Sequence, residues 1–133
     1  MNWNYISGFF DADGSTSIIA ESSKRNKSLQ VSFHNNERII LETIQKFIFD
    51  ELGFNGTISL KKSKNINHQD AYDLKYKYRQ ALEVANKMTI LHPKKVHRFK
   101  TYNLIQKNTK RNGKYTLEEK AKRDKLLDLF TKH

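Results

Sequence analysis

A chain of 133 residues has room for one domain with one real core. Only 37% of it is hydrophobic and 29% is charged, so some apolar side chains are expected to be buried only against a partner. The absence of cysteine excludes disulfides and thiolate zinc sites and fits a reducing compartment. With no signal-like start and no apolar run near the roughly 20 residues that span a bilayer, a soluble protein without membrane contact is expected.

The formal net charge is +11, and it is unevenly spread: residues 94–133 carry 13 of the 25 basic groups and only four of the 14 acidic ones. Such an excess points to a polyanionic partner, nucleic acid first. An anionic membrane fits less well, because no helix pairs a broad apolar face with a basic one.

In chain order, residues 3–13 read as a helix with Trp3, Ile6 and Phe10 on one stripe, ended by a left-handed Gly14. "STSIIAES" (15–22) and "SLQVSFH" (28–34) read as the first two strands. In the latter, Leu29, Val31 and Phe33 alternate with Gln30, Ser32 and His34. "NNERIILETIQKFIFDELG" follows as a helix capped by Asn35 or Asn36, with Ile40, Ile44, Phe47 and Ile48 facing inward and Gly53 past its end. "GTISLKK" (56–62) and "AYDLKYKY" (71–78) are the third and fourth strands. A short helix covers "RQALEVANKM", and Pro93 opens another. The last, 116–130, starts with the capping box Thr116–Glu119.

The order α-β-β-α-β-β-α, then more helix, predicts an α+β fold: a four-stranded antiparallel sheet with helices on one face. One domain is expected over 1–133, its core at about 3–108 and a helical extension at about 114–133. The other sheet face would present Ser17, Glu21, Gln30, Ser32, His34, Lys61, Asp73, Lys75 and Lys77. A face of polar and cationic side chains can enter the DNA major groove and read base edges. Lys107, Lys110, Arg111 and Lys114 are candidates for backbone contacts.

"ISGFFDADG" (6–14) poses an electrostatic problem. A helix C-terminus carries about half a negative charge, yet Asp11 and Asp13 sit there. Turn chemistry at Asp-Gly is one explanation. A calcium loop is disfavoured, because Thr16 stands where an EF-hand needs glycine. A third explanation is a Mg²⁺ site, since Mg²⁺ takes one or two carboxylates together with water and phosphate oxygens. His34-Asn35-Asn36 invites an HNH-nuclease reading, but His68 is not convincingly placed to complete it.

This stretch resembles the LAGLIDADG motif of homing endonucleases: Gly8, Asp11, Ala12, Asp13 and Gly14 match it, and the other four residues are conservative replacements. The resemblance covers roughly residues 3–108. It implies a Mg²⁺-dependent DNA endonuclease with a DNA-binding saddle, Ca²⁺ or Mn²⁺ being able to substitute in binding or cleavage. One motif implies a homodimer on a near-palindromic duplex. It further implies that Ile6, Ser7, Gly8, Phe10 and Asp11 form the dimer interface. Asp13, with the Ala12 carbonyl, would hold the metal. Asn36 or Glu37 would order water, and Arg38 and Lys94 or Lys95 would act near the scissile phosphate. An intron-splicing maturase that recognises RNA, or a non-cleaving DNA binder, is the alternative on the same scaffold. An intron-encoded origin in an A/T-rich organelle, phage or prokaryotic genome is compatible with the high Lys and Asn content.

Overall fold

The computed structural model describes residues 1–20, 27–64, 69–107 and 116–131. Its elements are α1 (Trp3–Asp13), β1 (Gly14–Ala20), β2 (Lys27–Asn35), α2 (Arg38–Leu52), β3 (Thr57–Lys61), β4 (Ala71–Lys77), α3 (Tyr78–Lys87), α4 (Pro93–Lys107) and α5 (Leu117–Thr131). The four strands form one antiparallel sheet in the order β1-β2-β4-β3. The chain divides into two compact units, Met1–Ile90 and Leu91–His133, so the division falls inside the stretch expected to form one core.

The first unit is built on the alternation visible in β2. Leu29, Val31 and Phe33 are fully buried, as are Leu74 and, within 1%, Tyr76 on β4. Against this face pack Ile6 and Phe10 of α1, Leu41, Ile44 and Ile48 of α2, and Ala81 and Val84 of α3. Spacings of three and four residues put each of these sets on one side of its helix. Aromatic edges meet in the core: Phe10 and Tyr76 each approach Phe33 edge-on, and Trp3 meets Phe47 at 5.3 Å. Burial raises the pKa of the Tyr76 phenol well above its ordinary value, outweighing the opposing Gly56 backbone group.

Local detail corrects three expectations. Gly14 is extended (φ −90°, ψ 163°), not left-handed; it is needed because a Cβ there would lie 2.1 Å from the Phe10 ring. The left-handed glycine is Gly53, at φ 83° after α2. The N-cap of α2 is Glu37 rather than Asn35 or Asn36, and its side chain makes no capping bond. The Asn35 side chain instead accepts from the Glu37 N–H at 2.8 Å, a local turn bond that delays the helix. The inward stripe of α2 is led by Leu41, with Ile40 and Phe47 only half-buried.

β4 passes into α3 with no residue between them, and Tyr78 takes φ 61° at the joint. It is the one non-glycine residue with positive φ among the described residues. In the second unit, α4 and α5 pack together, burying Tyr102, Ile105 and Phe130. Thr116 caps α5 by accepting from the Glu119 N–H at 3.1 Å, as expected. The Arg98 guanidinium lies 5.5 Å from the centre of the Phe130 ring.

Candidate nucleic-acid interface

Strand register decides which side chains share the uncovered sheet face. Directly paired residues lie on the same side. Gln30 pairs with Ser17 and Lys77, Ser32 with Ser15 and Lys75, and His34 with Asp73. On β3, Thr57 pairs with Lys75 and Ser59 with Asp73; Lys61 follows on the same side. Ser17, Gln30, Ser32, His34, Lys61, Asp73, Lys75 and Lys77 therefore share one face. Glu21 lies outside the described residues, as do His68, Lys110, Arg111 and Lys114. Lys61 and Lys77 are exposed and Lys75 is partly so, which leaves three ammonium groups able to meet an anion.

Beside these lysines, a cavity of about 510 Å³ opens between the β3–β4 edge and the start of α3, lined by Asn55, Thr57, Lys75, Lys77, Tyr78 and Arg79 among others. Arg79 lies 3.6 Å from Glu83, one turn on, but is 90% exposed, so this ion pair is weak.

The other end of the face holds a polar array. His34 Nδ1 lies 2.5 Å from Asp73 Oδ1, and His34 Nε2 lies 2.9 Å from Ser15 Oγ. The Asp73 side chain is 11% exposed and that of His34 39%. Both ring nitrogens of His34 are thus engaged inside the sheet. His34 and Asp73 sit on the expected face, but their polar atoms face each other more than they face outward. Nothing in the sequence singles out Ser15, because a serine in a polar turn-to-strand stretch carries no signal.

Gly14 opens β1 opposite Phe33, so the C-terminal end of α1 adjoins the end of β2 that leads to Asn35 and Asn36. Asp13 and Ala12 are exposed and Asp11 is half-buried. The last four carbonyls of a helix lack intrahelical donors, and the Ala12 carbonyl is among them. Among the described residues, no group of three or more His, Cys, Asp or Glu side chains could hold a metal ion within one chain.

Asn36 is exposed and donates to Gln69 Oε1 at a long 3.4 Å. Glu37 is exposed at the cap of α2. Arg38 is turned along its own helix, 2.7 Å from Glu42, with its guanidinium 5.6 Å from the centre of the Tyr72 ring. Lys94 and Lys95 lie in the first turn of α4, in the second unit, Lys94 exposed and Lys95 half-buried.

The outward side of α1 differs from expectation. Ile6 and Phe10 are fully buried and Ser7 is 5% exposed, so these three serve the protomer's own core and offer no interface surface. Ser7 Oγ donates to the Trp3 carbonyl at 2.7 Å and accepts from the Thr89 N–H at 2.9 Å, which ties α1 to the segment after α3. The exposed side carries Tyr5, Gly8 and Ala12, at helical spacings of three and four, with Asp11 beside them.

A family model described as LAGLIDADG-like domain matches residues 2–102. No curated protein matches. Among solved structures, the chain is similar to the archaeal intron-encoded homing endonuclease I-Vdi141I complexed with DNA. The TM-score is 0.63 at 21% identity, covering 96% of this chain and 80% of that one. It is also similar to the LAGLIDADG meganuclease I-AabMI bound to uncleaved DNA (TM-score 0.63, 18% identity, 96% of this chain and 44% of that one). The LAGLIDADG homing endonuclease I-GzeII in complex with its DNA target gives 0.60 and 18%, over 93% of this chain and 42% of that one. This chain therefore spans less than half the length of the last two. The family match over most of the chain, in agreement with the helix-then-strand setting of "ISGFFDADG", shows that the chain belongs to the LAGLIDADG-like domain family.

Proposed function

We propose that the protein is a site-specific DNA endonuclease that cleaves both strands of a long, near-palindromic duplex as a metal-dependent homodimer. The observation that carries this reading is the placement of Asp13. Its carboxylate is exposed at the end of α1, beside a sheet face that presents polar and cationic side chains.

Charge supports a divalent ion there. The negative end of the α1 dipole, Asp13 and nearby Asp11 together favour a cation. One carboxylate and one backbone carbonyl would offer two hard oxygen donors, only part of what such an ion needs. That suits Mg²⁺, which fills its remaining positions with water and phosphate oxygens. A second copy would bring the same two donors again and still leave room for water and phosphate, which fits the lack of a complete ligand cluster among the described residues of one chain. When bound, such an ion supplies phosphate polarisation and an acidified water.

The remaining work belongs to the chain's own residues. The open sheet face would set the register on DNA, with Gln30 and Ser17 as candidates for base edges and Lys61, Lys75 and Lys77 for phosphates. Asn36 and Glu37, at the β2–α2 turn, are candidates to order a water. Arg38 and Lys94 or Lys95 are candidates to hold negative charge on the phosphate. Dimerisation is supported at Gly8: a Cβ there would meet nothing within 4 Å among the described residues, so its missing side chain is not demanded by the protomer. A small residue on an exposed helix face permits close approach of a second helix.

The test is cleavage of a supercoiled plasmid library with Mg²⁺ by the wild type and by Asp13→Asn. Linear product is expected only from the wild type, with the variant slower by on the order of 10³-fold yet still binding DNA in Ca²⁺. An active variant would remove Asp13 from the metal site. A monomer in sedimentation equilibrium, with and without DNA, would remove the twofold site. RNA binding without DNA cleavage would move the reading to an intron-splicing maturase.

A further inference from the structure

We infer that Ser15 reads a base edge, and that the His34–Asp73 pair fixes the hydrogen-bonding direction in which it reads. The inference rests on the proposed DNA-binding role of the open sheet face. The three residues come from three adjacent strands, β1, β2 and β4, and form one continuous chain of hydrogen bonds across that face.

Donor and acceptor counting gives the direction. An ionised carboxylate only accepts, so the Nδ1–H of His34 donates to Asp73 and the proton stays on Nδ1. In the neutral imidazole the other nitrogen, Nε2, is then an acceptor without a proton. Ser15 can satisfy the 2.9 Å contact with Nε2 only by donating its hydroxyl hydrogen. That commits the one donor Ser15 has. The residue is partly exposed, and its oxygen is left with lone pairs alone.

A serine hydroxyl ordinarily bonds to donor or acceptor alike, and so discriminates poorly between bases. Here it is restricted to accepting. In the major groove the donors are the exocyclic amino groups of adenine and cytosine, whereas guanine and thymine present acceptors at the equivalent atoms. Ser15 should therefore favour adenine or cytosine at the position it faces and oppose guanine and thymine. His34 and Asp73 are positioning residues: they act on the DNA through Ser15. Lys75 and Lys77 of β4 and Lys61 of β3 share the face and supply charge, but none replaces the hydroxyl.

The experiment uses the full chain in Ca²⁺ at mildly alkaline pH with a randomised duplex DNA pool, followed by sequencing of the bound fraction. The wild type is expected to show one position per half-site enriched in adenine or cytosine. Ser15→Ala should flatten that position, a change of about fivefold, while Ser15→Thr, which keeps the hydroxyl, retains it. Asp73→Asn should let the imidazole take the opposite tautomer. Nε2 then donates, the Ser15 hydrogen is released, and the same position should shift toward guanine or thymine. Ser15→Ala and Asp73→Asn pools matching the wild type at every position would overturn the inference. Should Asp73→Asn fail to fold, the Ala/Thr pair at residue 15 decides alone. Failure of the wild type to enrich any duplex defeats the DNA-binding reading itself, and is thereby distinguished from failure of the Ser15 assignment.

Discussion

Along β2, Leu29, Val31 and Phe33 are fully buried, while Gln30 and His34 between and beside them stay partly exposed. One strand thus serves two faces with opposite demands. The covered face is held by shape: rings and branched aliphatics at van der Waals distance, where volume matters more than chemistry. The uncovered face is held by pairing, as in Ser15–His34–Asp73, where a single atom changes what is presented. Damage to the first should appear as lost stability, and damage to the second as lost recognition in a protein that still folds.

The largest separation is expected from Phe33→Ala. Truncating a fully buried ring that touches Phe9, Phe10 and Tyr76 should cost about 3–5 kcal/mol in urea unfolding. The base preference of the fraction that remains folded should not change. A destabilisation below about 1 kcal/mol would contradict the packing of this face. Gly14→Ala is the next test. It forces a methyl into the Phe10 ring, and about 1–3 kcal/mol of destabilisation is expected from the resulting shift. A neutral result would mean that α1 and β1 can part at their junction.

On the uncovered face, Lys75→Ala with Lys77→Ala should leave stability within about 0.5 kcal/mol. Removing two cations proposed to neutralise phosphates should lower the slope of log affinity against log salt by about two, measured by fluorescence anisotropy. An unchanged slope would take both lysines off the DNA backbone. The smallest effect returns to the core and is confined to alkali. The pKa of the Tyr76 phenol is raised in the folded state, so its contribution is fully present below the unfolded value of about 10 and is lost as pH rises beyond it. Tyr76→Phe should therefore remove that alkaline loss while leaving the neutral-pH slope unchanged, as followed by urea unfolding across a pH series.

The strand–helix order is legible because β2 alternates cleanly and the α2 stripe repeats at helical spacing. The end of α2 is legible from Gly53, but its start is not. Two asparagines compete for the cap, and the Asn35 side chain is taken by the Glu37 N–H. In the motif, the exposed Asp13 stands out as an acid at a negative helix end. The inward turn of Ile6, Ser7 and Phe10 does not, because an apolar or small residue on a helix fits an interface and a core equally well. Ser15 is invisible for a different reason. Its importance lies in partners 19 residues away and, through His34, 39 residues further on, a pairing that only the sheet register creates.

The joint between β4 and α3 has a last consequence. Lys77 ends the strand, Tyr78 begins the helix, and the turn is made by one residue at φ 61°. Such a backbone costs on the order of 1 kcal/mol for a residue with a side chain, so glycine could replace Tyr78 there without strain. Length is another matter. One inserted residue would rotate α3 by about 100° and carry Ala81 and Val84 away from the sheet. The joint tolerates a change of spelling and forbids a change of count, and homologues that vary freely at this residue should still keep its spacing.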